Sequence, residues 1–183
     1  ILGGKNKLLK NDNPEFFKAF TNLPVEHEYD NTIESGLGSS AGLAVSLVAA
    51  QSKIDGNELP LNDICETAWD IEVNRLKMFG GRQDQFSCGY GGVNVMEFNS
   101  LGVKITSLSK DFIDWLLPYM VLFHTGLKRK SAKIQEGLRA LSDEQVFHLT
   151  IVKNMAIQGI EAIANKDINK VAELMKQAWE AKK

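Results

Sequence analysis

Along this chain the spacing of apolar positions changes several times, and each change predicts an element. Ala44-Val45-Ser46-Leu47-Val48-Ala49-Ala50 is apolar enough to predict a helix buried on most of its sides. Ile64, Ala68, Ile71 and Arg75 or Leu76 follow helical spacing. They predict a second helix that starts within 59–63, with Asn62 as its cap, and runs to Met78. Val93 to Phe98 and Val103 to Leu108 read as two strands, and Asn99-Ser100-Leu101-Gly102 as the hairpin turn between them. Lys110 to Leu117 predicts a short helix or turn stopped by Pro118, and the continuous apolar run Tyr119 to Phe123 predicts a buried strand. The last third predicts an antiparallel helix pair. Asp143 would cap the first helix, with Leu149, Val152, Ala156, Ile160 and Ile163 as its stripe. Asp167 would cap the second, with Ile168, Val171, Leu174, Met175 and Ala178 inward, and Met175 and Trp179 in the core. Toward the N-terminus, Pro14 can start a helix over Glu15 to Phe20, and Val25 to Tyr29 alternates like a strand. His27 then lies between two carboxylates on a solvated strand face rather than in a metal site.

Composition narrows the class. A 183-residue chain with 44% hydrophobic residues can bury a core in one domain or two small lobes. A net charge of −2 gives no electrostatic basis for a nucleic-acid partner. No apolar run reaches the length of a membrane span, and no secretory pattern is present, so a cytoplasmic protein is expected. Cys65 and Cys88 make no disulfide scaffold and read as small buried hydrophobes.

The chemistry gathers in two glycine-rich stretches. Glu34-Ser35-Gly36-Leu37-Gly38-Ser39-Ser40-Ala41-Gly42 runs directly into the apolar helix. A helix start carries unpaired N–H groups and partial positive charge, and glycines let an anion approach the backbone. The hydroxyls of Ser39 and Ser40 can cap the helix, hold a phosphate oxygen or ligate Mg²⁺. A nucleotide phosphate site and an ordinary Gly/Ser helix start both fit; the common P-loop does not, because no Gly-Lys-Ser/Thr follows. The second stretch, Phe79 to Gly92, has glycines at both ends and places Gln83, Asp84 and Gln85 in a segment built for tight packing. Asp84 could accept a proton from an attacking hydroxyl, or cap a helix that starts near Gln85. Glu72 borders the buried face of the second helix; the alternative is a surface acid. Lys128, Arg129 and Lys130 precede a predicted helix over Ser131 to Leu141, where cations oppose the helix dipole by about 0.3–1 kcal/mol each. A bound substrate phosphate would reverse that conflict; three solvated loop cations are the alternative.

Ser35-Gly36-Leu37-Gly38-Ser39-Ser40 resembles the central phosphate-binding motif of the GHMP small-molecule kinases. Gly81-Arg82-Gln83-Asp84-Gln85, with Gly91-Gly92-Val93-Asn94-Val95-Met96-Glu97-Phe98, is similar to the sugar-kinase branch, above all the D-glycero-D-manno-heptose 7-phosphate kinases and next the kinase part of fucokinase. The resemblance implies an α+β GHMP kinase fold, with an N-terminal lobe like domain 2 of ribosomal protein S5 over 1–108 and an α-rich, ferredoxin-like C-terminal lobe over 109–183. It implies ATP and Mg²⁺ as cofactors, and transfer of the γ-phosphoryl group to the anomeric hydroxyl of heptose 7-phosphate. Gly36, Leu37, Gly38, Ser39, Ser40, Ala41 and Gly42 would bind the phosphates; Ser39, Ser40 and Glu72 the metal. Asp84 would be catalytic, and Arg82, Gln83 and Arg129 would face the sugar. The implied partner is a small sugar or sugar phosphate, with a homodimer left open. A non-catalytic ATP and sugar binder, a kinase for another sugar such as fucose, and the decarboxylase branch of the superfamily are the competing readings. Two departures matter. Ile1 to Gly4 is at best a remnant of the family's opening strand and glycine turn, and nothing after Gly159 offers its C-terminal glycine-rich motif. The fold is therefore expected to be incomplete at both ends.

Overall fold

The structure is a computed structural model that describes residues 38–78, 80–123 and 142–181. The predicted elements over 15–20, 25–29 and 131–141, and the basic loop 128–130, lie outside the described residues. The described chain falls into two compact units, 38–91 and, separately, 92–123 with 142–181.

The first unit is a cluster of three mutually packed helices. Helix α1, Ser39–Ile54, buries Ala41, Ala44, Val45, Leu47, Val48 and Ser52, a face repeated at three- and four-residue steps. Its buried Ser52 hydroxyl donates to the Asn57 carbonyl and accepts from the Leu59 N–H at 3.0 Å. That fastens the outgoing turn to the helix and satisfies the buried hydroxyl. Helix α2, Leu61–Asp70, begins earlier than the sequence suggests. Pro60 is the N-cap: its carbonyl accepts from the Ile64 N–H at 3.0 Å, which puts Asn62 inside the helix. The helix does not run on to Met78. It widens into a π-helical turn over Ile71–Arg75, where the Leu76 N–H reaches the Ile71 carbonyl at 2.9 Å. Lys77 then takes φ 56°, and the Met78 N–H closes on the Glu72 carbonyl at 2.9 Å.

Helix α3, Gln83–Tyr90, packs on both others, and its Phe86 is fully buried and stacks on Tyr90. Burying such a ring contributes about 1.5–3 kcal/mol. Gly89 lets α3 come down on α2: a Cβ there would sit 2.5 Å from the buried Cys65 Sγ. Of the two thiols only Cys65 is a core residue; Cys88 is exposed, and both are free.

In the second unit, β1 (Asn94–Asn99) and β2 (Gly102–Ser107) form the predicted hairpin, with Met96 opposite Ile105 and Phe98 opposite Val103. The Asn99 side chain accepts from the Leu101 N–H at 2.8 Å, and Gly102 takes φ 131°, so both ends of the tight turn match their residues. Helix α4, Lys110–Leu116, passes into a 3₁₀ turn, Leu117–Tyr119, that holds Pro118. The expected strand over Tyr119–Phe123 is absent. Met120 to Phe123 are exposed and carry no ladder, because among the described residues β1 pairs only with β2. Helix α5, Asp143–Ala164, is capped by Ser142 rather than Asp143, through a reciprocal box with Gln145. Asp167 caps helix α6, Ile168–Glu180, as its position predicts, and α5 and α6 pack as a helical hairpin. Their stripes are only partly covered. Ala162 and Leu174 are buried, whereas Leu149, Ala156, Ile160, Met175 and Trp179 are exposed, so Met175 and Trp179 are not core residues. Two helices alone have one mutual face, too narrow to cover a stripe of this width.

Candidate active site

The start of α1 and the start of α3 meet inside the first unit. Gly36 and Leu37 lie outside the described residues. Gly38, the N-cap of α1, sits at φ 70°, a backbone state that costs a residue with a Cβ about 1–2 kcal/mol. A Cβ on Gly38 would stand 3.7 Å from Asp84 Cβ and Cγ and from Cys88 Sγ. Hence the carboxylate of α3 borders the dipole end of α1. The first bond of the α1 ladder runs from the Gly42 N–H to the Gly38 carbonyl at 2.9 Å. The helix itself therefore offers no acceptor to the N–H groups of Ser39, Ser40 and Ala41. Ser39 and Ser40 are exposed and make no side-chain cap.

The two acids arrive by different routes. Asp84 lies in the first turn of α3, exposed and without a capping bond, so the Asx-cap alternative is not what forms. Glu72 sits in the π-helical turn and is only 4% exposed. The widened turn rotates the chain just where the Glu72 side chain must reach inward. Gln85 Nε2 donates to Glu72 Oε2 at 2.6 Å. Burial, and to a lesser degree the Asp84 charge, push the Glu72 carboxyl above its ordinary value, while the Gln85 bond pulls it down. The Cys88 residue is exposed, but partial burial of its sulfur and the same two carboxylates raise its thiol. A cleft of about 220 Å³ joins these groups, lined by Ser40, Ala41, Glu72, Gly81, Gln83, Asp84 and Gln85 among others.

These donors suit a hard cation. A hydroxyl and two carboxylates on one cleft match the oxygen preference of Mg²⁺, which commonly takes one or two protein carboxylates and completes its shell from water and phosphate. Among the described residues no group of three His, Cys, Asp or Glu forms a metal cage, so any cation here would need ligand oxygens as well. Among the described residues, Glu72 has a neutral amide as its hydrogen-bond partner and no Lys or Arg in an ion pair with it. A buried carboxylate in that state gains from an arriving cation.

The other expected site residues divide. Gln83 and Ala41 line the cleft with Ser40; Ser39 and Gly42 stand beside it on α1. Arg82 is drawn elsewhere. Its guanidinium lies 3.7 Å from the centroid of Trp69, and its Nε donates to Glu66 Oε2 at 2.8 Å. Arg82 thus clamps the loop before α3 onto α2. Arg82→Ala should cost about 1–2 kcal/mol, the sum of a stacked cation and a partly exposed ion pair, measured by urea unfolding. Arg129 lies outside the described residues. Sequence reasoning missed the Glu72–Gln85 pair and the Trp69 platform. A signal for the first exists: Gln85 shares the core-facing side of α3 with Phe86 and Gly89.

Comparison with known proteins follows the same lines. Residues 7–92 match the family described as GHMP kinases N terminal domain. The chain is 30% identical, over 98% of its own length, to D-glycero-alpha-D-manno-heptose 7-phosphate kinase of Campylobacter jejuni, of which it spans 56%. A shorter stretch, 38% of the chain, is 36% identical to 23% of mevalonate kinase from Saccharolobus solfataricus. Among solved structures, a D-glycero-D-manno-heptose 1-phosphate kinase from Bacteriodes thetaiotaomicron superposes with a TM-score of 0.71 at 24% identity, over 94% of this chain and 56% of that one. The chain thus spans little more than half the length of these heptose kinases. A GHMP kinases N terminal domain is thus what residues 7–92 match, and the fold shared with the solved heptose kinase extends that likeness over most of the chain.

Proposed function

We propose that this chain belongs to an ATP-dependent sugar kinase that phosphorylates the anomeric hydroxyl of D-glycero-D-manno-heptose 7-phosphate. The observation that carries the reading is the position of Asp84 against Gly38, with Glu72 opening on the same cleft. Phosphoryl transfer asks little covalent chemistry of a protein; it asks for a positioned hydroxyl and neutralised charge. Bound ATP would supply the phosphoryl group, and bound Mg²⁺ would offset charge on it. The backbone of 38–42 and the Ser39 and Ser40 hydroxyls would hold phosphate oxygens at the positive end of α1. Glu72 and Ser40 would hold the cation. Asp84, exposed and without an ion pair among the described residues, is free to orient a sugar hydroxyl and take its proton. Gln83 faces the same cleft and would contact the sugar. Arg82 acts on the sugar indirectly, by fixing the loop, and Arg129 with its neighbours Lys128 and Lys130 would meet the substrate's own phosphate. The lobe division at 108, a cytoplasmic setting and a possible second copy in a homodimer belong to the same proposal.

The two heptose kinases above carry the substrate phosphate at different positions in their names, so the sugar itself is the variable to test. The full-length gene product should be assayed for ADP release with heptose 7-phosphate, heptose 1-phosphate, the free heptose, fucose and mevalonate. Heptose 7-phosphate should give the highest kcat/KM. Best turnover of another sugar would replace the substrate but keep the kinase. Nucleotide binding without turnover of any acceptor would instead mark a non-catalytic binder.

A further inference from the structure

We infer that Gln85 is a positioning residue for the cation site: it holds the Glu72 carboxylate in the orientation that binds the metal, and ties that carboxylate to the turn that carries Asp84. The inference rests on the kinase reading above. Three observations support it.

Gln85 is 5% exposed, and its Nε2 donates to Glu72 Oε2 at 2.6 Å. An ionised carboxylate only accepts, so the amide must present its nitrogen there, and Glu72 is left with its second oxygen to offer. Gln85 is also the neighbour of Asp84 on α3, whereas Glu72 stands on the π-helical turn after α2. One hydrogen bond therefore couples the two elements that deliver the acids to the cleft. Finally, Gln85 Oε1 is buried and has no hydrogen-bond partner among the described residues. A side chain kept only for packing would be better served by an apolar group of the same shape, since an orphaned buried acceptor opposes folding. The polar residue is explained by what its other end does.

The test uses Gln85→Met, close in shape and without the amide, in the full-length gene product. Mn²⁺ serves as the probe, followed by electron paramagnetic resonance with ATP present. Groups that orient a metal ligand typically change affinity 10- to 100-fold when removed. Gln85→Met should weaken Mn²⁺ about tenfold or more by that measure and raise the Mg²⁺ concentration needed for half-maximal rate. In a Glu72→Ala background the same change should have no further effect on Mn²⁺, because its route to the metal is gone. Gln85→Leu, likewise apolar and without the amide, should weaken Mn²⁺ in the same direction should Gln85→Met fold poorly. Unchanged Mn²⁺ affinity in a folded Gln85 variant, or an equal loss in both backgrounds, overturns the inference while leaving the kinase reading intact. If the parent protein holds no Mn²⁺ with ATP at all, the kinase reading falls and this inference falls with it.

Discussion

Asp84→Asn in the full-length gene product is expected to lower kcat for sugar phosphorylation by about 10²–10⁴-fold, the usual contribution of a positioned general base. The substitution conserves shape. Asp84 is exposed and caps nothing, so folding should not change. Asn can still touch a hydroxyl but cannot take its proton, and it removes one negative charge beside the phosphate-binding end of α1. Nucleotide affinity should therefore hold or tighten while turnover collapses. That combination separates loss of chemistry from loss of the site. Both quantities come from one set of steady-state assays with a parallel nucleotide titration. Retained turnover would mean that the acid beside Gly38 is not the group that handles the acceptor.

Gly89→Ala is expected to destabilise the first unit by about 1–3 kcal/mol, the range for overpacking a filled core. The new methyl would meet Cys65 Sγ at 2.5 Å, and also lie 3.5 Å from Leu61 Cδ1 and 3.7 Å from Val45 Cγ1. Cys65 is fully buried, so its sulfur has little room to turn away; that burial also pushes its thiol up to about 11. The helices must part instead. Cys65→Ala removes the obstructing atom, so the double variant should recover most of what Gly89→Ala loses, a coupling that urea unfolding of all four proteins would measure. Activity should fall with the packing. Helix α2 leads into Glu72 and α3 carries Asp84, and misplacing catalytic groups by about 1 Å can cost roughly 10²-fold in rate. Additive losses in the double variant would show that the α2–α3 contact is looser than described.

Local sequence made part of this legible. The dense apolar run after Ser40 produced a buried helix, the two alternating segments around Asn99 produced a hairpin in the expected register, and Asp167 capped a helix where its side chain could reach the Lys170 N–H. The glycine-rich start at Gly38 and the Gly80 to Gln85 segment, singled out by glycine spacing and polar clustering, come together beside one cleft. Longer-range facts were not readable. Periodicity continues unbroken through Glu72, so nothing in it announces a π-helical turn; that turn answers to tertiary packing. The family resemblance turned Arg82 toward the sugar, but Trp69, thirteen positions away, holds its guanidinium. The run Tyr119 to Phe123 has strand composition, yet a strand needs a neighbour to pair with, and none stands beside it among the described residues. Met175 and Trp179 fit the helical stripe, but stripe membership says nothing about whether a partner covers it.

The central claim is spatial: phosphate at the start of α1, cation between Ser40 and Glu72, acceptor hydroxyl at Asp84. A crystal structure of the full-length gene product with Mg²⁺, a non-hydrolysable ATP analogue and heptose 7-phosphate would measure it directly. The account predicts phosphate oxygens within hydrogen-bond distance of the N–H groups that follow Gly38, and the sugar's anomeric hydroxyl on the Asp84 carboxylate. A triphosphate bound away from the 38–42 turn, or a sugar whose reacting hydroxyl cannot reach Asp84, would contradict it.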